Sequence, residues 1–178
     1  MTGLAKEYGE GLYELARDED LSQLIHEQLE DINALLKQQP DFIKLLCSRA
    51  IERDRRLEVV DETFRDRAHA YVVNYMKLLV EKERFECFLE SAQWFHQRYN
   101  EDFGIVEARV TSAVALSDDD QAALRQKLQE MSHKTVSLIT RVDPTLIGGI
   151  RVEMDGKRYD NTIQNKLSRL KQSLVQGL

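Results

Sequence analysis

Between Leu12 and Phe103 the chain has no glycine, and Pro40 is the only proline in that stretch. Strands need a turn every few residues, so this length without backbone punctuation excludes a β-rich N-terminal part and leaves helices. Cysteine is scarce: Cys47 and Cys87 stand forty residues apart, with no CxxC pair. That excludes a disulfide framework or a zinc ribbon and reads as two small apolar thiols in a reducing compartment. No apolar run approaches the ~20 residues of a membrane span. Lys6, Glu7, Glu10 and Glu14 speak against a secretory signal and against an acid-poor mitochondrial presequence. His26, His69, His96 and His133 form no HxxxH or HExxH pattern, and neither a nucleophile elbow nor a Walker motif is present. The expectation is a protein with no active site, cofactor or metal of its own.

What the chain does contain is a folded composition, with 42% hydrophobic and 31% charged residues in 178. Charge is unevenly placed. Residues 1–104 hold 14 Lys/Arg against 22 Asp/Glu, whereas residues 105–178 hold 11 against 9. Opposite signs suggest two modules with different partners. Six helices are expected in the first module. Leu4, Tyr8, Leu12, Leu15 and Ala16 mark the first, and Leu21 to Leu36 the second. Pro40 opens the third, and Leu57, Val60 and Phe64 mark the fourth. Tyr71 to Val80 forms the fifth, and Phe85 to Tyr99 the sixth. In the fifth only Asn74 and Lys77 are polar, so it is either wholly buried or keeps a second apolar face for a partner. From the residues alone, burial is the favoured reading.

After Gly104, Ile105 to Ala115 reads as a strand. Ser117 with three following aspartates starts a helix, because the hydroxyl caps free amides and the acids complement the helix dipole. A calcium loop is excluded by the missing glycine and ligand spacing. That helix carries Leu124, Leu128 and Met131 on its apolar stripe. A second strand follows over residues 135–139. Asp143-Pro144 starts a turn, Gly148-Gly149 heads a strand over residues 150–154, and Asp155-Gly156 makes a two-residue hairpin. Asp160 or Asn161 caps a last helix. Ile163, Leu167, Leu170 and Leu174 lie on one of its faces, with Lys166, Arg169 and Lys171 around them. The fold expected is mainly α with a smaller α/β part: a six-helix bundle over 1–104, then a strand–helix–strand–hairpin–helix domain over 105–178. Asp160 is the only acid from 156 to 178, so the end of the chain offers a basic face. Such a face suits nucleic acid or an acidic partner helix, although no nucleic-acid motif or aromatic accompanies it.

Leu146-Ile147-Gly148-Gly149-Ile150, preceded by Asp143-Pro144 and followed by Asp160-Asn161-Thr162-Ile163 and Leu167, resembles the C-terminal signature of the delta subunit of F-type ATP synthases. The mitochondrial counterpart is the oligomycin-sensitivity-conferring protein. Asn161-Thr162 replaces a Gly-Ser-like pair and keeps the hydroxyl. Asn74 to Arg84 is similar to that family's fifth helix, and Ala5, Tyr8, Leu12 and Ala16 resemble its first. The resemblance implies a non-catalytic stator adapter, one copy per complex, peripheral at the cytoplasmic face of a bacterial inner membrane and reaching the membrane only through the complex. It implies that Tyr8, Leu12, Tyr75, Leu78 and Leu79 line a groove for the N-terminal helix of an alpha subunit. It also implies that Lys166, Arg169 and Lys171 meet the b subunits. Asp143, Pro144, Gly148, Gly149, Asp155, Gly156 and Asp160 are then structural. Gly9 and Gly11 depart from the alanine-rich first helix of the family, and each weakens a helix by roughly 1 kcal/mol relative to alanine. The alternative reading is a small helical nucleic-acid-binding or regulatory protein-binding module, without catalysis in either case.

Overall fold

The computed structural model describes residues 3–166. The expectations for Leu167, Arg169, Leu170, Lys171 and Leu174 therefore lie outside the described residues. Packing divides the chain into two units, Met1–Asn100 and Glu101–Leu178. The expected junction after Gly104 falls four residues beyond that division.

The first unit is helical. It comprises α1 (Gly3–Asp18), α2 (Ser22–Gln38), α3 (Pro40–Cys47), α4 (Arg53–Phe64) and α5 (Ala70–Glu81), then a single 3-10 turn (Phe85–Cys87) and α6 (Phe88–Asp102). Helical periodicity explains most of the core. Ile25, Leu29, Ile32 and Leu36 put one stripe of α2 inside, while Val72, Val73, Tyr75, Met76, Leu79 and Val80 bury most of α5. The stripe expected for α1 is rotated. Ala5, Gly9, Leu12, Tyr13 and Ala16 face inward, and Leu15 is 41% exposed. Small side chains make a flat face that seats close to a neighbouring helix, which turns the larger Leu4, Tyr8 and Leu15 to the flank. Leu24 and Leu35 of α2 are likewise exposed.

Arg56 is the unexpected core member, 3% exposed. Its Nη1 donates to the Leu46 carbonyl at 3.0 Å and its Nε to the Ile51 carbonyl at 3.2 Å. A buried guanidinium is tolerable because it satisfies one carbonyl at the end of α3, where the helix dipole also favours a cation, and one in the loop that follows. Between α4 and α5, Asp61 accepts from Lys77, and it also pairs with Arg65.

Among the described residues the second unit holds a four-stranded sheet, the helix α7 and the start of a last helix at residue 163. The sheet order is β2-β1-β3-β4, with β1 (Ile105–Ser112), β2 (Thr135–Val142), β3 (Ile150–Met154) and β4 (Lys157–Asp160); α7 (Asp118–Ser132) connects β1 to β2. β1 and β2 are parallel, so a crossover is required, and α7 supplies it. β3 is antiparallel to β1 and forms a hairpin with β4. Val106, Ala108, Val110, Leu128, Val136, Val152 and Met154 make the core, with Leu116, Leu124, Leu138 and Ile150 against it. Met131, expected on the apolar stripe of α7, is 52% exposed because it lies beyond the edge of that core. Ser117 Oγ accepts the Asp120 amide at 3.2 Å, which starts α7. No helix among the described residues is long and apolar enough to cross a membrane.

Candidate partner-binding surfaces

A cleft of about 350 Å³ opens between α1 and α5. Tyr8, Leu12 and Leu15 form one wall, and Tyr71, Tyr75 and Leu78 the other, with Glu7 and Asn74 at its rim. Four of the five residues singled out for a groove, Tyr8, Leu12, Tyr75 and Leu78, therefore come together. Leu79 does not. It is fully buried on a different face of α5, one residue being about 100° of helix rotation from Leu78. Leu78 is 38% exposed and Leu15 41%, so each presents apolar surface to an entering side chain.

Ser91 of α6 contacts both helices that form this cleft. Its Oγ receives the Tyr75 hydroxyl proton at 2.5 Å and donates to the Phe88 carbonyl at 2.9 Å. Burial, the dominant cause, pushes the Tyr75 phenol well above its ordinary pKa, so the ring stays neutral. The Ser91 carbonyl lies where α1 crosses α6, and a Cβ on Gly9 would fall 2.5 Å from that oxygen. One residue thus holds both walls, α5 through its hydroxyl and α1 through its backbone. Lys6 adds a cation over the Trp94 ring, 5.4 Å from its centroid. Propensity alone makes Gly9 a helix-weakening departure. The signal that reveals its packing role is the small-residue series Ala5, Gly9, Ala16 on one helical face.

A second apolar cleft, about 330 Å³, lies among α2, α3 and α4 around Leu35, Phe42 and Phe64. It explains the exposure of Leu35, which periodicity alone places in the core.

In the second unit the C-terminal signature folds back on itself. Asp143 Oδ1 accepts from the Thr145 amide at 3.0 Å and its hydroxyl at 2.7 Å. Asp160 Oδ1 accepts from the Thr162 amide at 3.1 Å and its hydroxyl at 2.7 Å, and Asp160 Oδ2 takes Arg151 Nε at 3.2 Å. The same Asp-x-Thr turn thus stands before β3 and after β4. Thr162, buried at 2% exposure, accepts the Asn165 amide at 3.2 Å and is the cap of the helix that starts at residue 163. This corrects the assignment of that cap to Asp160 or Asn161. Asp160 instead orients the capping threonine.

Gly148 and Gly149 pack against this same turn. The Gly148 carbonyl accepts the Ile163 amide at 3.0 Å, and the Ile150 carbonyl accepts the Asn161 amide at 3.0 Å. Gly149 has φ +85°, and a Cβ there would stand 2.4 Å from the Asn161 carbonyl oxygen. The hairpin between β3 and β4 turns through Asp155 and Gly156, both at positive φ (50° and 70°), the backbone of the tight hairpin turn. Pro144 sits in the turn that the Leu146 amide closes onto the Asp143 carbonyl at 3.1 Å. Lys166 is exposed at the end of the described residues.

Asp160 gives this unit a pH dependence. The Thr162 hydroxyl and amide, then Arg151, hold its carboxyl below the usual carboxylate range. A folded pKa below the unfolded value means stability present above the unfolded pKa of about 3.9, and lost as pH falls through the folded one. Melting curves from pH 7 to pH 2 should therefore show a steeper acid limb for the native chain than for Asp160→Asn. Parallel limbs would mean that this carboxylate contributes nothing to acid sensitivity.

Fold and surfaces together define a two-unit protein, helical then α/β, whose notable features among the described residues are apolar clefts and a self-locked turn. Residues 4–174 match the family described as ATP synthase delta (OSCP) subunit. The ATP synthase subunit delta of Desulfitobacterium hafniense is 31% identical over 171 residues, 96% of each chain. That of Lysinibacillus sphaericus is 30% identical and covers 98% of each. A chain in the cryo-EM structure of the Toxoplasma gondii mitochondrial ATP synthase hexamer shares the fold, with TM-score 0.75 over 98% of each chain at 17% identity. The protein belongs to the ATP synthase delta (OSCP) subunit family.

Proposed function

We propose that this chain is the non-catalytic adapter of the peripheral stalk in a proton-translocating ATP synthase. It holds the catalytic head still against rotor torque, at the cytoplasmic face of a bacterial inner membrane, with one copy per complex. Residues 1–104 act as a six-helix bundle that receives the N-terminal helix of an alpha subunit, and residues 105–178 act as the α/β domain that meets the b subunits. Family membership supports the role in the complex. The observation that carries the head-binding assignment is the α1–α5 cleft, with Tyr8, Leu12, Tyr75 and Leu78 on facing walls. An amphipathic helix places anchors every three or four residues into such a groove. The basic residues Lys166, Arg169 and Lys171 steer an acidic stalk helix, a contribution to association rate more than to fold stability.

Two variants of the full chain test the two ends separately. Leu78→Asp should weaken binding of an alpha N-terminal peptide at least tenfold, about 1.4 kcal/mol, while the melting temperature stays close to that of the native chain because Leu78 is partly exposed. Reversing Lys166, Arg169 and Lys171 to Glu should slow association with a fragment from the C-terminal end of b and leave alpha-peptide binding intact. Unchanged calorimetric affinity for the alpha peptide in Leu78→Asp would move the head contact away from this cleft.

A further inference from the structure

His26 and Glu30 sit one turn apart on α2, and His96 comes from α6, seventy residues further along the chain. The His26 ring stacks on His96 at 4.8 Å between centroids and on Tyr99 at 4.1 Å. Glu30 Oε1 lies 3.2 Å from His96 Nδ1, and Glu30 Oε2 lies 3.9 Å from His26 Nε2. One donor atom from each residue can be chosen so that all three lie within 4.8 Å of one another. We propose that His26, Glu30 and His96 form a binding site for a borderline divalent cation of the zinc class, which staples α2 to α6.

The geometry is close to what such an ion requires. Two ligands of a tetrahedral ion at ~2.1 Å stand ~3.4 Å apart, so both Glu30 separations are near that value and the widest gap must close by at most ~1.4 Å. Glu30 is 57% exposed and can swing to meet the ion. Two imidazoles and one carboxylate suit zinc far better than magnesium or calcium, which prefer oxygen ligands alone. Three protein ligands leave the fourth position to water. Asn100 contacts His96 at Nε2, 2.9 Å away, and with its amide oxygen turned inward it would hold that ring as a metal-bound histidine is held.

An ordinary ion pair accounts for Glu30 and His96 but leaves His26 unexplained. Its side chain is 12% exposed, and its Nδ1 is buried with no hydrogen-bond partner. A neutral imidazole has one lone pair to satisfy. If that lone pair is on Nδ1, the atom is buried with no hydrogen-bond partner. If it is on Nε2, Glu30 Oε2 stands 3.9 Å away, too far for a hydrogen bond. With the lone pair on Nε2, a cation shared with Glu30 and His96 Nδ1 supplies what the protein does not. The other histidines and both cysteines lie outside this group.

Isothermal titration of the chelator-stripped full chain with zinc chloride alone should show one ion bound per chain, with micromolar affinity. Glu30→Gln and His96→Gln should each lower that affinity at least tenfold. Zinc should raise the melting temperature of the native chain and leave both variants unmoved. Because Glu30 is exposed, Glu30→Gln tests the site even if His96→Gln folds poorly. Cobalt bound in place of zinc should show visible d–d bands without a thiolate charge-transfer band. No binding at millimolar zinc, equal affinity in Glu30→Gln, or a thiolate band that assigns the ion to Cys47 would each overturn the proposal.

Discussion

Gly149→Val should lower the stability of the second unit by roughly 3 kcal/mol or more, given a non-glycine residue forced to positive φ together with a backbone collision. For a unit of this size, that corresponds to a melting temperature about 12 °C or more lower. The cause is local and double. Gly149 has φ +85°, and its missing Cβ is the space into which the Asn161 carbonyl fits. Since the collision begins at Cβ, Gly149→Ala should lose most of the same stability, which separates it from a simple effect of side-chain bulk. Differential scanning calorimetry on the full chain provides the check. A loss below about 1 kcal/mol for valine, the centre of the ordinary range for point mutants, would mean that the turn before β3 and the start of the last helix are not locked together.

The second large effect concerns α1 and has an internal control. Alanine at either helical glycine should improve helix propensity by roughly 1 kcal/mol. At Gly11 the added Cβ meets nothing within 4 Å, so Gly11→Ala should stabilise the chain. At Gly9 it would stand 2.5 Å from the Ser91 carbonyl, a backbone atom that cannot rotate away. Gly9→Ala should therefore destabilise by about 1–3 kcal/mol, the usual cost of overpacking, despite its better propensity. Because displacement of α1 also moves a wall of the cleft, this variant should bind the alpha peptide less well than the native chain does. Denaturant melts of both variants settle the sign, and two variants stabilised alike would mean that the Ser91 carbonyl does not limit how closely α1 approaches α6.

These cases show what the sequence makes legible. Helices over the glycine-free stretch, the Ser117 cap and the Asp155-Gly156 hairpin follow from local chemistry, because propensity, capping and turn geometry act within a few residues. The faces of α1 and α2 are harder to read. Hydrophobicity alone ranks Leu15 and Leu35 as core, while the packing prefers the small face of α1 and leaves both leucines beside clefts. Leu79 and Leu78 are adjacent and equally apolar, so only the helix rotation in the folded unit separates core from surface. The Arg56 contact depends on how the loop between α3 and α4 folds, and the meeting of His26 with His96 on helices packing across seventy residues of sequence. No spacing rule within either segment could have announced them. In the C-terminal part, the two halves of the signature are visible as separate motifs, but their mutual fit is not.

That fit has a mechanical meaning. A pull on the chain beyond Thr162 does not reach the sheet through edge strand β4 alone. The Ile163 amide is tied to the Gly148 carbonyl and the Asn161 amide to the Ile150 carbonyl, so part of the force passes directly into β3, which has neighbours on both sides. Load shared over several backbone bonds at once resists rupture better than load that opens them one after another, as in a zip. Under an alternating tug, the attachment should give way outside this joint before the joint itself opens.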